Sequence, residues 1–248
     1  MTGDNSMGIR SELGQYAENE TGEQFTRQNS KLLKVELSAG GVQALRGSMV
    51  AYQGDVRFEN KGSGGLGKML KKATTGEGVN MMQASGTGEL FLADQAKDIH
   101  ILYLENDSMS VNGANVLAFN DSISWDIQRL SGGVAGALAG GLYNVTLSGT
   151  GYVAVTTDGT PVVLDVASAP TFADAQAVVM WSSGVQMQVK TDTTGGLKSM
   201  VRGGTGELLQ MAFGGQGFVL VQPSEGPVGG TGGASSTGEG LLGQVLGG

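Results

Sequence analysis

Three stretches of this chain repeat one pattern: SGTGELFLAD from Ser85, SGTGYVAVTT from Ser148 and, more faintly, GGQGFVLVQP from Gly214. Two further markers recur in the same order. The first is an apolar run closed by an aromatic, a small polar turn and an alternating segment: MVAYQGDVRF from Met49, VLAFNDSISW from Val116 and VVMWSSGVQM from Val178, which aligns Tyr52, Phe119 and Trp181. The second is a Gly-Gly pair leading a short apolar run, GGLGKML from Gly64, GGVAGAL from Gly132 and GGLKSMV from Gly195. The offsets between successive copies of all three markers lie between 62 and 68 residues. Internal self-similarity at a fixed period marks a repeat architecture, and markers that stay in register over three copies define three tandem units.

Each unit reads as β structure. Alternating apolar and polar residues are the period-2 signature of a half-buried strand. Strand-like segments also precede each Gly-x-Gly (VNMMQA, YNVTLS, LQMAFG), and LLKVEL, IHILYL and VVLDV supply another strand per unit. Helical signal is confined to the short runs after the Gly-Gly pairs. One such unit cannot bury its apolar face alone, so residues 25–223 are expected to form a single all-β domain, with units at about 31–96, 97–159 and 160–223. Residues 1–24 read as an N-terminal extension. Residues 224–248, rich in Gly, Ser and Thr, read as a flexible tail. Glycine inside a strand marks a bulge, a bend or a close backbone approach. The glycines of the three motifs, Gly86 and Gly88, Gly149 and Gly151, Gly215 and Gly217, are therefore expected to sit at equivalent bent or crowded positions.

Composition narrows the function. Of the 248 residues 40% are hydrophobic, enough for a substantial core, while only 15% are charged and the net charge is −8. An acidic chain repels phosphate backbones and anionic lipid, so no nucleic-acid partner is expected; the one clear basic cluster, Lys61, Lys68, Lys71 and Lys72, reads as a solvated turn and short helix. The chain has no cysteine, which removes disulfides, thiolate metal sites and cysteine nucleophiles. The first residues carry scattered acids and no apolar core of a signal peptide. The apolar run Gly132–Leu142 is shorter than the ~20 residues of a spanning helix. A cytoplasmic protein is expected, with room for peripheral membrane attachment through a partner.

The motifs GSMVAY at Gly47, the Gly-Gly run followed by TTGEG at Thr74, and the later VLAF and SGTG elements resemble the altered-inheritance-of-mitochondria family, a bacterial and mitochondrial family of unknown function. The resemblance spans roughly Phe25 to Pro223. It implies a fold similar to the tryptophan RNA-binding attenuation protein repeated three times, a pseudo-threefold double-stranded β-helix or β-prism body. It also implies a non-enzymatic role, since mitochondrial members are linked to inner-membrane organisation. It carries over no catalytic residues, and tryptophan and RNA binding do not transfer, because fold does not imply function.

Several motifs imitate catalytic or nucleotide sites. GSGGLGK, Gly62 to Lys68, satisfies GxxxxGK, yet Met69 stands where a Ser or Thr must bind Mg²⁺. GTGYVA at Gly149 leads into β-branched residues, not the helix of a dinucleotide fold. His100 is the only histidine, too few for a histidine-rich metal site; two residues from Asp98, it shares a strand face with it. No GxSxG elbow occurs, and the acids Asp107, Asp121, Asp126 and Asp165 show no spacing that names a catalytic pair; Asp121 and Asp158 read as turn residues. Met81, Met82, Met180, Met187 and Met211, like Trp125 and Trp181, read as core fillers.

The expected function is thus protein binding or scaffolding without catalysis, cofactor or metal. The alternative is small-ligand binding in clefts between units. A protein partner is expected, and self-association is compatible with exposed β edges. Titrating a nucleoside triphosphate in a calorimeter should give no saturable heat; a saturating isotherm would restore the phosphate-loop reading of Gly62–Lys68.

Overall fold

A computed structural model describes residues 12–59, 80–129, 143–191 and 209–224. The Gly-Gly runs, the basic cluster, GSGGLGK and the Gly/Ser-rich tail lie outside these residues. The described chain is all-β and antiparallel, with short 3-10 turns at Glu12–Tyr16, Leu37–Ala39 and Gly113–Asn115. The first third holds β1 (Phe25–Asn29), β2 (Leu32–Glu36), β3 (Val42–Leu45), β4 (Met49–Glu59) and β5 (Met81–Leu92). The middle third holds β6 (Asp98–Asn112), β7 (Val116–Asn120), β8 (Ser124–Arg129) and β9 (Tyr143–Thr157). The last holds β10 (Val162–Asp165), β11 (Thr171–Asp174), β12 (Val178–Ser182), β13 (Val185–Thr191), β14 (Leu209–Gly215) and β15 (Phe218–Val221). One sheet runs β1-β2-β5-β3-β7-β9-β6-β12-β15-β10, with β4 on β5 and β8 on β9; β11-β14-β13 form a separate sheet.

The three Gly-x-Gly motifs occupy the middle of β5, the middle of β9 and the junction of β14 with β15. Across the motif one edge of β5 passes from β3 to β2 and one edge of β9 from β8 to β7, while β4 and β6 pair along their other edges throughout. In β9, Ser148 to Tyr143 face β8 while Val153 to Val155 face β7. All six motif glycines have positive φ. Gly88 packs so tightly against β4 that a Cβ would overlap the Gln53 carbonyl oxygen. At Gly151 (φ +151°) a Cβ would lie 2.8 Å from Asn120 Oδ1. These are the bent, crowded positions at which only glycine is unstrained. Opposite Gly151 the long strand β6 is bulged between Leu104 and Asp107, with Asn106 in the left-handed region at φ 51°. The bulge lets β6 follow the bend of its neighbour.

Counting from these glycines, the three aromatic markers share one register. Tyr52 faces Leu90, Phe119 faces Val153 and Trp181 faces Val219, each two residues beyond the second glycine of its motif. Their environments differ. The strand segments around Phe119 and Trp181 are apolar throughout and lie between two neighbours: β7 between β9 and β3, β12 between β15 and β6. Both aromatics are buried (0% and 6% exposed), whereas Tyr52 is 49% exposed. The reason is local: among the described strands β4 pairs with β5 alone, so no second described strand flanks Met49, Val50, Ala51 and Tyr52, and the Tyr52 ring meets only Phe58 of its own strand edge-on at 5.4 Å among the described aromatic rings.

The core divides accordingly. One cluster joins the first third to the second through Leu33, Val35, Leu90, Leu117 and Ala154. Another joins the second to the last through Phe119, Leu147, Val179, Met180 and Leu220. The remaining cluster, with Val178, Trp181, Met211 and Phe213, is built from the last third only. Met81, Met82, Met180 and Met211 are buried in these clusters as core fillers, and Met187 packs against the last. Trp181 packs on Phe213 at 5.5 Å and Trp125 on Phe119 at 5.9 Å.

Replacing Gly151 with Val introduces a β-branched side chain at positive φ and a clash with Asn120. The expected cost is roughly 2–4 kcal/mol, or a melting temperature lowered by about 5–15 °C. The check is a thermal melt beside Gly14→Ala, where a new Cβ has open space and no comparable loss is expected.

Candidate functional site

The seam between β3 and β7 opens at one end into a cleft. Its floor is the bend of β9, Thr150 to Tyr152; its walls are the Ala39–Gly41 turn before β3, the Asn120–Ser122 turn after β7, Gln24 and Tyr103 of β6. The cleft holds about 270 Å³. The turn that makes it follows from the sequence: Asn-Asp-Ser after an apolar run favours local side-chain bonds to backbone over continued strand. Asn120 Oδ1 accepts from the Tyr152 N–H at 2.6 Å and its Nδ2 donates to Gln24 Oε1 at 2.7 Å. Ser122 Oγ donates to the Thr150 carbonyl at 2.9 Å.

Asp121 closes the other side. Its Oδ1 accepts from Gln43 Nε2 at 2.8 Å and its Oδ2 from Gln83 Nε2 at 2.5 Å. One carboxylate thereby ties the end of β7 to both β3 and β5. The two amide oxygens, Gln43 Oε1 and Gln83 Oε1, are buried without a hydrogen-bond partner. Gly41 faces this carboxylate at a distance that leaves no room for a side chain.

The aromatic wall is a chain of rings. Phe25 stacks on Tyr152 at 5.3 Å, and Tyr103 meets Tyr152 edge-on at 4.8 Å. The Tyr152 hydroxyl donates to Glu23. That hydrogen bond, with burial and the carboxylate's charge, pushes the phenol up to about 12, because ionisation would break the bond and set two anions together. Tyr103 is half exposed and presents a ring at the mouth. The lining residues comprise amides, hydroxyls, one carboxylate and two phenols, with no histidine, lysine or cysteine. Such a set suits hydrogen bonding to a neutral polar group against an aromatic face.

Other titratable clusters are internally satisfied. Glu18, Glu20 and Glu89 converge closely enough to hold a cation, but the Lys34 ammonium occupies their centre, at 3.2, 2.5 and 3.0 Å. Burial lowers the affinity of Lys34 for its proton; the three carboxylates more than reverse this and hold it well above the ordinary lysine range. Asp98 pairs with Lys31 at 2.8 Å, and His100 Nε2 shares a hydrogen bond with Thr157 Oγ1 at 2.9 Å. The two residues that share a strand face thus serve different partners, and burial lowers the imidazole's pKa. Asp107 accepts from Ser183 Oγ at 2.9 Å, Asp165 accepts from the Ala167 N–H at 2.9 Å, and the Asp158 N–H donates to Gln222.

A second candidate surface is the open side of β4. Val50 is 60% exposed and Tyr52 49%, with Met49 and Phe58 also exposed. Val162 and Val163 of β10 and Phe172 of β11 are exposed elsewhere on the described strands. Monomeric proteins rarely expose contiguous apolar patches unless these bind something.

No helix among the described residues is long and apolar enough to cross a membrane. The sequence profile of the family described as Mitochondrial biogenesis AIM24 matches residues 24–224. No curated protein matches the chain. The crystal structure of a protein from Streptococcus pyogenes superposes with a TM-score of 0.66 at 24% identity, covering 81% of this chain and 92% of that one. At that identity the likeness shows the fold.

Asp121→Ala should leave the buried Gln43 amide without an acceptor and cut the tie between β7 and both β3 and β5. A destabilisation of about 1–3 kcal/mol is expected, read as a lower denaturation midpoint with an unchanged slope. Ser122→Ala, which removes a single exposed hydrogen bond, should change the midpoint far less.

Proposed function

The chain belongs to the AIM24 family, and we propose on that premise that it is a non-enzymatic protein-binding or scaffolding protein. The observation that carries this reading is the apolar segment Met49–Gln53. Its counterparts Val116–Asn120 and Val178–Ser182 are covered in the sheet, while this copy faces solvent. An exposed strand edge with apolar side chains is a template for another chain. The reading is non-catalytic because the cleft's polar groups are engaged with one another: Asp121 with two amides, Asn120 with Tyr152 and Gln24, Tyr152 with Glu23.

We read the architecture as three tandem units, each similar to the tryptophan RNA-binding attenuation protein and related by a pseudo-threefold axis. The common register of Tyr52, Phe119 and Trp181 against the Gly-x-Gly strands supports this. A cytoplasmic protein, held at a membrane through its partner, fits the acidic chain. Small-ligand binding is the second reading, favoured by the 270 Å³ cleft and the half-exposed Tyr103 ring.

A pull-down with tagged full-length chain and quantitative mass spectrometry should enrich a defined protein, untagged copies of the chain being counted among the prey. Val50→Asp combined with Tyr52→Asp should abolish that enrichment without changing the circular dichroism spectrum. Equal recovery by the variant would remove the strand from the binding surface. A thermal shift with a metabolite that is lost in Tyr103→Ala would favour the cleft instead.

A further inference from the structure

We infer that the cleft at the β3–β7 seam takes a single sugar ring, a neutral polyol with one apolar face. The inference rests on the small-ligand reading of that cleft and names the ligand class. It follows from which lining atoms are already engaged and which are not. Asn120 is engaged on both sides, with Oδ1 on the Tyr152 N–H and Nδ2 on Gln24. Asp121 is exposed and only half engaged. A carboxylate offers about four acceptor sites, and the Gln43 and Gln83 amides use one on each oxygen. Thr150 Oγ1 accepts from the Asn106 N–H at 2.9 Å and keeps its own hydrogen to donate. The Tyr103 hydroxyl has no hydrogen-bond partner among the described residues.

These groups suit neighbouring hydroxyls on one ring. Asp121 accepts from them, Thr150 donates, Tyr103 does either, and the C–H face of the sugar lies on the Tyr103 ring. That ring is 52% exposed. It sits opposite Tyr152 in the β6–β9 pair and is braced edge-on against it at 4.8 Å. Tyr152 is itself held by Phe25 and Glu23. The two amides fix the Asp121 carboxylate in the same way, Gln43 being buried. A site fixed before its ligand arrives loses little to ordering, so the bonds within the lining prepare the remaining atoms for use.

Other ligand classes fit less well. No Lys, Arg or His lines the cleft, so a phosphate or carboxylate would meet Asp121 without a countercharge. Ala39 is the only aliphatic side chain in the lining, and a hydrocarbon chain finds no wall. The volume of about 270 Å³ lies just below the ~300–1,000 Å³ of most small-molecule sites, room for one ring rather than a nucleotide. An organic cation is the remaining competitor, drawn by Asp121 and the rings. Salt separates the two, because screening weakens the pull on a cation and leaves a neutral ligand alone.

The test is saturation-transfer difference NMR on the full-length chain. The probes are the methyl glycosides of glucose, galactose and mannose, with tetramethylammonium chloride beside them. At least one glycoside should receive saturation on its ring protons and titrate to a plateau, unchanged between about 0.05 and 0.5 M sodium chloride. Tyr103→Ala should weaken that binding roughly tenfold, and Tyr103→Phe, which keeps the ring and the fold, should weaken it less. No signal from any glycoside, equal affinity in the chain and both variants, or a signal from tetramethylammonium alone would overturn the inference. If the glycosides fail but another metabolite gives a thermal shift that Tyr103→Ala abolishes, the cleft keeps its small-ligand reading and loses the sugar. If no metabolite does so either, both readings fall.

Discussion

The whole sheet depends on strands that change partners half-way along. One edge of β5 passes from β3 to β2 across its Gly-x-Gly and one edge of β9 passes from β8 to β7, while β4 and β6 line their other edges throughout. A strand can do this only if it bends, and it can bend that sharply only where the backbone reaches positive φ and a neighbour can approach without meeting a Cβ. Gly88 against Gln53 and Gly151 against Asn120 meet both conditions. Take that bend away and the two halves of β9 could not serve β8 and β7 in turn, and the continuous path from β1 to β10 would break.

Polar groups then specify how neighbouring thirds meet. Hydrophobic contact along the seams is non-directional and would tolerate slippage, while the hydrogen bonds do not. Asp121 reaches from the middle third to Gln43 and Gln83 of the first. Asn115 reaches from the middle third to Gln222, beyond β15. Lys34 gathers Glu18 and Glu20 from the segment before β1 together with Glu89 of β5. A buried ammonium is costly unless paired, so these contacts order the residues ahead of β1 as well as neutralise the lysine. Glu23 does the same through Tyr152, and in doing so builds one wall of the cleft.

The functional reading grows from an inequality among three similar segments. VLAFN and VVMWS are covered within the sheet, and MVAYQ is not. Fully burying a side chain of this size is worth about 1.5–3 kcal/mol, so an exposed apolar strand is a standing incentive to associate. The cleft at the β3–β7 seam is a weaker attractor, because the side chains of Asp121, Asn120 and Tyr152 are already hydrogen-bonded to Gln43, Gln83, Gln24 and Glu23.

Much of this was legible in the residues. The all-β character and the burial of Met180, Met211 and Trp181 follow from periodicity and residue type, which act over neighbours a few positions apart. The carboxylate of Asp121 looked like one acid among many, and Tyr103, Tyr152 and Asn120 gave no signal as a group, because the strands that bring them together lie far apart along the chain. Nor did any property of Tyr52 set it apart from Phe119 and Trp181. Side-chain alternation and the conformational freedom of glycine, both readable in the residue order, set where strands run and where they bend. Which of three like strands lies open to solvent was settled by assembly of the sheet, because exposure depends on whether a second strand lies alongside, and no local pattern records that.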